Sequence, residues 1–109
     1  MTPAQEKKLD ILYQETGLSN GDYLSILDGE ANLIHHFLQG RYKSIRWYMP
    51  CGIPLGIEQH NNIHGYRSKT LQNKIIAIKG REWLNNLHRQ KFKIAKNLDY
   101  NKVADHILG

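Results

Sequence analysis

Only one of the 109 residues is cysteine, so no internal disulfide can form, and a chain this small in an oxidising compartment would usually carry several. No run approaches the roughly 20 apolar residues that a membrane span needs. The opening stretch "MTPAQEKKLD" has no apolar core behind its charges, which speaks against a secretory signal. Together these absences lead to the expectation of a cytoplasmic protein with no membrane segment. Gly-rich phosphate loops, nucleophile elbows and paired carboxylates are also missing. Glu58 and Glu82 are isolated, and Cys51 has no identifiable base beside it. The expectation is therefore a non-catalytic protein. Base is scarce as well, but only locally: residues 1–40 hold just Lys7 and Lys8 against six carboxylates, a net −4.

The rest of the chain reverses that balance. Residues 41–109 carry 13 lysines and arginines against Glu58, Glu82, Asp99 and Asp105, a net +9. At this length, with 40% hydrophobic residues, the chain has material for one core, so a single domain over 1–109 is expected, acidic and helical over 1–40 and basic over 41–109. Such asymmetry points to an anionic partner for the basic part, and nucleic acid is the commonest one.

The fold class expected is α+β and mainly helical. Thr2 can cap a helix that starts at Pro3, with Gln5 completing a capping box and Leu9, Leu12 and Tyr13 on one face; Gly17 is placed to close it. Ser19 then opens a second helix carrying Tyr23, Leu24, Ile26 and Leu27 up to Gly29, and a third runs over 31–39 with Leu33, Ile34, Phe37 and Leu38. Beyond Gly40, "RYKSIRWYM" alternates and predicts a strand over 42–49. "PCGIPLG" breaks regular structure, and a short second strand over 55–59 would complete a central β-hairpin. "HNNIHGYRS" looks like an exposed turn. Helices follow over 69–79 and 81–98, and Asp99 caps a last short one with Val103, Ile107 and Leu108. In the amphipathic 81–98 segment, Trp83, Leu84, Leu87, Ile94 and Leu98 share a side, while Arg89, Lys93 and Lys96 form a basic stripe.

"GLSNGDYLSILDG" resembles the helix-turn-helix of lac-type bacterial repressors. Gly17, Leu18, Ser19, Tyr23, Ile26 and Gly29 match that family's turn and apolar positions in order. The resemblance covers about 20 residues and implies an N-terminal three-helix unit of that shape whose second helix reads DNA. Electrostatics moves the binding surface elsewhere: residues 19–28 contain no lysine or arginine, and cations supply most nucleic-acid affinity.

The candidate nucleic-acid-binding residues are therefore downstream. Arg41, Lys43 and Arg46 interleave with Tyr48 and its aromatic neighbours, Tyr66, Arg67 and Lys69 repeat the mixture, and Arg89, Lys93 and Lys96 add the stripe. Cations hold phosphates while aromatic faces stack on bases. Trp47 and Trp83 are expected in the core. Among six histidines, His60 and His64 stand in the i, i+4 relation, and Cys51 with His35 or His36 would be needed to close a four-ligand zinc site. No recognisable spacing supplies that set, so neither metal nor cofactor is expected.

Two functions fit these residues. The first is a small nucleic-acid-binding regulator, with DNA ahead of RNA as partner and a homodimer through the acidic helical end as one arrangement. The alternative is a compact inhibitor that occludes a larger nucleic-acid machine, of the phage-encoded anti-defence type, presenting its basic face to an acidic protein surface.

Overall fold

The N-terminal cap forms as the residues dictate. Thr2 Oγ1 accepts from the Gln5 amide at 3.2 Å and Gln5 Oε1 accepts from the Thr2 amide at 2.9 Å, starting helix α1 (Pro3–Asn20). In the computed structural model, which describes residues 1–39, 42–65, 68–93 and 98–109, this helix runs through Gly17 without stopping. Gly17 serves a close approach instead: a Cβ there would lie 2.7 Å from Cγ1 of Ile34.

The three-helix unit expected for residues 1–40 is not what the chain builds. After α1, Asp22 and Tyr23 take positive φ (53° and 57°), and Leu24 bridges Glu30 around a tip where Asp28 and Gly29 also have positive φ (95° and 83°). An Asp-Gly pair is a strong tight-turn signal because both positions tolerate this region, and here it outweighs the apolar periodicity of 19–28. The segment expected as a third helix is strand β1 (Leu33–His36). Leu33, Ile34, Phe37 and Leu38 suit either period, and pairing with a second strand decides the matter.

That partner is β2 (Gly52–Leu55), antiparallel to β1 with Leu33 opposite Leu55, Ile34 opposite Pro54, His35 opposite Ile53 and His36 opposite Gly52. The pair is thus real, but its strands fall at 33–36 and 52–55 and not at 42–49 and 55–59. Pro54 is tolerated because the Ile34 backbone needs nothing from it. The Ile34 N–H donates to Gln14 Oε1 at 2.8 Å, and Gln14 Nε2 donates to the Ile34 carbonyl at 2.9 Å.

Residues 42–49 contain a short helix, α2 (Lys43–Arg46), followed by a 3₁₀ turn (Met49–Cys51). A strand would send consecutive side chains to opposite faces. Here Arg46 and Trp47 both reach Asp10 of α1, through Arg46 Nε at 3.0 Å, Arg46 Nη2 at 2.6 Å and Trp47 Nε1 at 2.9 Å. Helix α3 (Ile57–Ile63) replaces the expected strand and turn, started by Gly56 with its N–H donating to Gln59 Oε1 at 2.9 Å. The C-terminal helices agree better with expectation. They are α4 (Ser68–Lys79), α5 (Arg81–Lys91) and α6 (Tyr100–Leu108), the last capped by Asp99, and Gly80 at φ 95° turns the chain between α4 and α5.

The class is therefore α+β, mainly helical, with one short antiparallel strand pair among the described residues. Leu9, Tyr13, Ile34, Trp47 and Ile107 pack together between α1, β1 and α6. Ile53, Leu55, Ile63 and Ile75 pack beneath β2, and Ile45, Cys51 and Leu87 join α2 to α5. Trp47 is buried as expected; Trp83 is half-buried and donates Nε1–H to the Pro50 carbonyl at 2.7 Å. No helix of the described residues is long and apolar enough to cross a membrane.

The two roles for Gly17 differ in sign. A glycine inside a helix with open space gains about 1 kcal/mol on replacement by alanine. With Ile34 Cγ1 2.7 Å from the new methyl, Gly17→Ala is instead expected to destabilise by roughly 1–3 kcal/mol, read as a lower urea midpoint, while the exposed Ser19→Ala stays near neutral.

Candidate nucleic-acid surface and a three-histidine cleft

The structure divides the sequence-expected binding residues into three groups. Arg41, Tyr66, Arg67 and Lys96 lie outside the described residues. Arg46 and Tyr48 are engaged within the fold, and the exposed Lys43 stands beside a carboxylate of α1. Lys43 Nζ stands 3.5 Å from Glu6 and Arg46 Nη1 3.8 Å from the same carboxylate, in addition to the bonds of Arg46 to Asp10. The hydrogen bond to Asp10 holds the Arg46 guanidinium above its usual pKa, so the charge is fixed and already matched. The Tyr48 hydroxyl accepts from Asn86 Nδ2 at 2.8 Å, and its ring stacks on His106 at 5.7 Å. Asp10 thus takes up the charge of Arg46, while the Lys43 side chain stays more than half exposed.

Lys69, Arg89 and Lys93 form the third group and are exposed. Arg89 meets Glu82 at 2.7 Å, but both side chains are well exposed, and such a pair contributes little and yields readily to a competing anion. The continuous stripe expected along 81–98 does not form as drawn, because α5 ends at Lys91 and Lys93 follows in a bend. The charge concentrates inside the basic part expected from the sequence. Residues 68–93 hold Lys69, Lys74, Lys79, Arg81, Arg89, Lys91 and Lys93 against Glu82 alone, a net +6 on two helices joined by one glycine and the two residues that follow them.

Helix α5 orients its part of this surface clearly. Leu84 and Leu87 are buried and Trp83 half-buried, and the exposed side carries Arg81, Asn85, His88, Arg89 and Phe92 at i, i+4, i+7, i+8 and i+11, with Glu82 beside Arg89. Phe92 is 78% exposed just past the helix end. Cations, an amide and an aromatic ring therefore share one outward face. Beside it, the Lys91 ammonium sits 4.7 Å from the Tyr42 ring centroid and Lys79 5.8 Å from that of Trp83.

A second cluster lies away from this face. His35 on β1, His60 in the last turn of α3 and His64 just after it converge, with a ligand nitrogen of each within 4.8 Å of the others. His60 and His64 Nε2 are 3.2 Å apart, so a single proton can bridge them. The His35 ring stands edge-on to both, at 5.2 Å from His60 and 4.9 Å from His64. The three rings line an open cleft of about 480 Å³ with Ile34, His36, Phe37, Gln39, Ile63 and Gln72. The i, i+4 spacing of "HNNIH" made one pair legible, but His35 is 25 residues upstream and only the strand brings it in.

Cys51, the fourth ligand considered from the sequence, is not part of this group. It is buried elsewhere, and its Sγ accepts from the Leu38 amide at 3.3 Å. Burial pushes its thiol pKa up, which makes it a small core side chain. Neutral imidazoles, by contrast, are good ligands for divalent transition metals. Comparison of the chain with protein-family models, with curated proteins and with solved structures finds no match.

Burial lowers the His35 pKa from 6.5 to about 4, and the neighbouring His64, His60 and His36 add to the shift; His60 is lowered by burial and then by His64. The unfolded chain takes up a proton at His35 below pH 6.5, whereas the folded chain does so only near pH 4. Stability is therefore full above pH 6.5 and falls as the pH drops toward 4. In metal-free buffer the unfolding free energy from urea titration should decline across this window, by at most about 1.4 kcal/mol per pH unit from this group. His35→Gln should flatten the decline, and an unfolding free energy that holds constant from pH 6.5 to 5 would contradict it.

Proposed function

We propose that this protein is a non-catalytic nucleic-acid-binding regulator that meets its partner through α4 and α5. The concentration of seven cations against one carboxylate over residues 68–93 carries the reading. Duplex DNA presents a regular row of phosphates, and most affinity for it comes from neutralising them and releasing counterions. Helix α5 has 11 residues, roughly 16 Å of length, and an outward face of arginine, asparagine and histidine fits a major groove about 12 Å wide. That favours DNA over RNA, whose A-form major groove is too narrow for side chains to read. Arg67 and Lys96 extend the same run in the sequence. The acidic α1 stays on the side of Lys43 and Arg46 and is kept from repelling phosphate by those pairs.

A second reading has its own support. The 21–30 turn exposes Tyr23 (57%) and Leu24 (61%) beside Asp22, Asp28 and Glu30, a mixture suited to a protein surface. An inhibitor that occludes a nucleic-acid machine would use this turn or offer its basic face to an acidic site.

Fluorescence anisotropy with labelled duplex and single strands over a salt series separates the two. Wild-type protein should bind duplex with an affinity that falls steeply with salt, at a slope near −0.9 per phosphate contact. Replacing Arg81, Arg89 and Lys93 together by glutamate should weaken binding at least about tenfold and flatten the slope. Absence of binding at low salt, or an unchanged affinity in the triple variant, would leave the protein-partner reading in its place.

A further inference from the structure

We propose that His35, His60 and His64 form a binding site for a divalent transition-metal ion of the zinc class, with the fourth coordination position filled by a ligand from the cleft. The site is independent of the basic face of α5 and stands whether or not nucleic acid is the partner.

The geometry is close to what such an ion demands. Zinc binds imidazole nitrogen at about 2.05 Å in a tetrahedron, which sets neighbouring ligand atoms roughly 3.3 Å apart. His60 and His64 Nε2 already stand at 3.2 Å, and the His35 nitrogen lies within 4.8 Å, a distance that a small ring rotation closes. These positions come from the backbone. Two histidines four apart project from one side of α3 and its final turn, and His35 is fixed on β1 by the register that sets it opposite Ile53.

The donor set also selects the ion. The three ligands are neutral nitrogens, and the described residues lining the cleft include Gln39 and Gln72 but no carboxylate. Magnesium and calcium prefer oxygen donors and have little to hold here. Imidazoles suit zinc, copper, nickel and cobalt. With neutral ligands the ion keeps its full +2 charge, so water or a small anion from the cleft is the natural fourth ligand. His60 and His64 Nε2 lie within hydrogen-bonding distance of each other while His35 meets both through ring edges, so a single ion placed among them takes all three rings as ligands. Binding would fasten α3 to the strand pair and so stabilise the fold.

The test uses the untagged full chain, stripped by chelator and titrated with Co²⁺ and then Zn²⁺. One Co²⁺ per chain with the visible absorption of a tetrahedral site, its displacement by Zn²⁺, and a Tm that rises with Zn²⁺ are expected. His64 is exposed, so His64→Ala should keep the circular dichroism of the folded protein while losing more affinity than the 10–100-fold that removal of an outer hydrogen-bond partner costs. His60→Gln should lose affinity likewise, and His88→Ala on the outer face of α5 should bind as wild type. No tetrahedral cobalt band in the wild-type chain, or equal Zn²⁺ affinity in His64→Ala, His60→Gln and His88→Ala, would overturn the assignment.

Discussion

The fold depends on how closely α1 approaches the strand pair. Ile34 sits between them, and a Cβ at Gly17 would stand 2.7 Å from its Cγ1, while one at Gly52 would stand 2.7 Å from its Cγ2 and from the Tyr13 hydroxyl. Two glycines on different elements thus make room for one isoleucine. Gln14 uses that proximity to bond both the N–H and the carbonyl of Ile34, acting as a one-residue third strand along the edge of β1. A two-stranded pair is marginal alone, and this amide together with the buried Ile34, Ile53 and Leu55 gives it the missing support.

The same approach sets the electrostatics. With α1 lying over the chain that leaves β1, Asp10 and Glu6 meet Lys43 and Arg46, and Trp47 adds its indole N–H to Asp10. Two of the six carboxylates of residues 1–40 thus meet the first cations of the basic part. A net +6 is carried by residues 68–93, where α4 and α5 turn Ile75, Leu84 and Leu87 inward and leave Lys69, Arg81 and Arg89 exposed. A surface that looked diffuse along the chain becomes concentrated on one pair of helices.

The histidine cleft follows from the register. The strand pairing buries His35, to 8% exposure, and β2 leads directly through Gly56 into α3, which returns His60 and His64 to it. Burial disfavours protonation of His35, and the neighbouring imidazoles add to the effect.

Local signals were legible in the residues themselves. The Thr2–Gln5 capping box, the amphipathic run of Trp83, Leu84 and Leu87, and the Asp99 cap each act within one or two helical turns, and each appears where it was read. So did the charge division and the i, i+4 pair of His60 and His64, because both are properties of spacing. Gly17, the 31–39 run and "RYKSIRWYM" were misread because their patterns admit two local structures, and the choice rests on distant partners: Ile34 for Gly17, β2 for β1, Asp10 for Arg46 and Trp47. The sequence by itself determined the α+β class, the Thr2 and Asp99 caps and the sign of the charge. Only tertiary structure decided which cations are already paired and which histidine completes the trio, since both depend on contacts between residues some 25 to 36 positions apart.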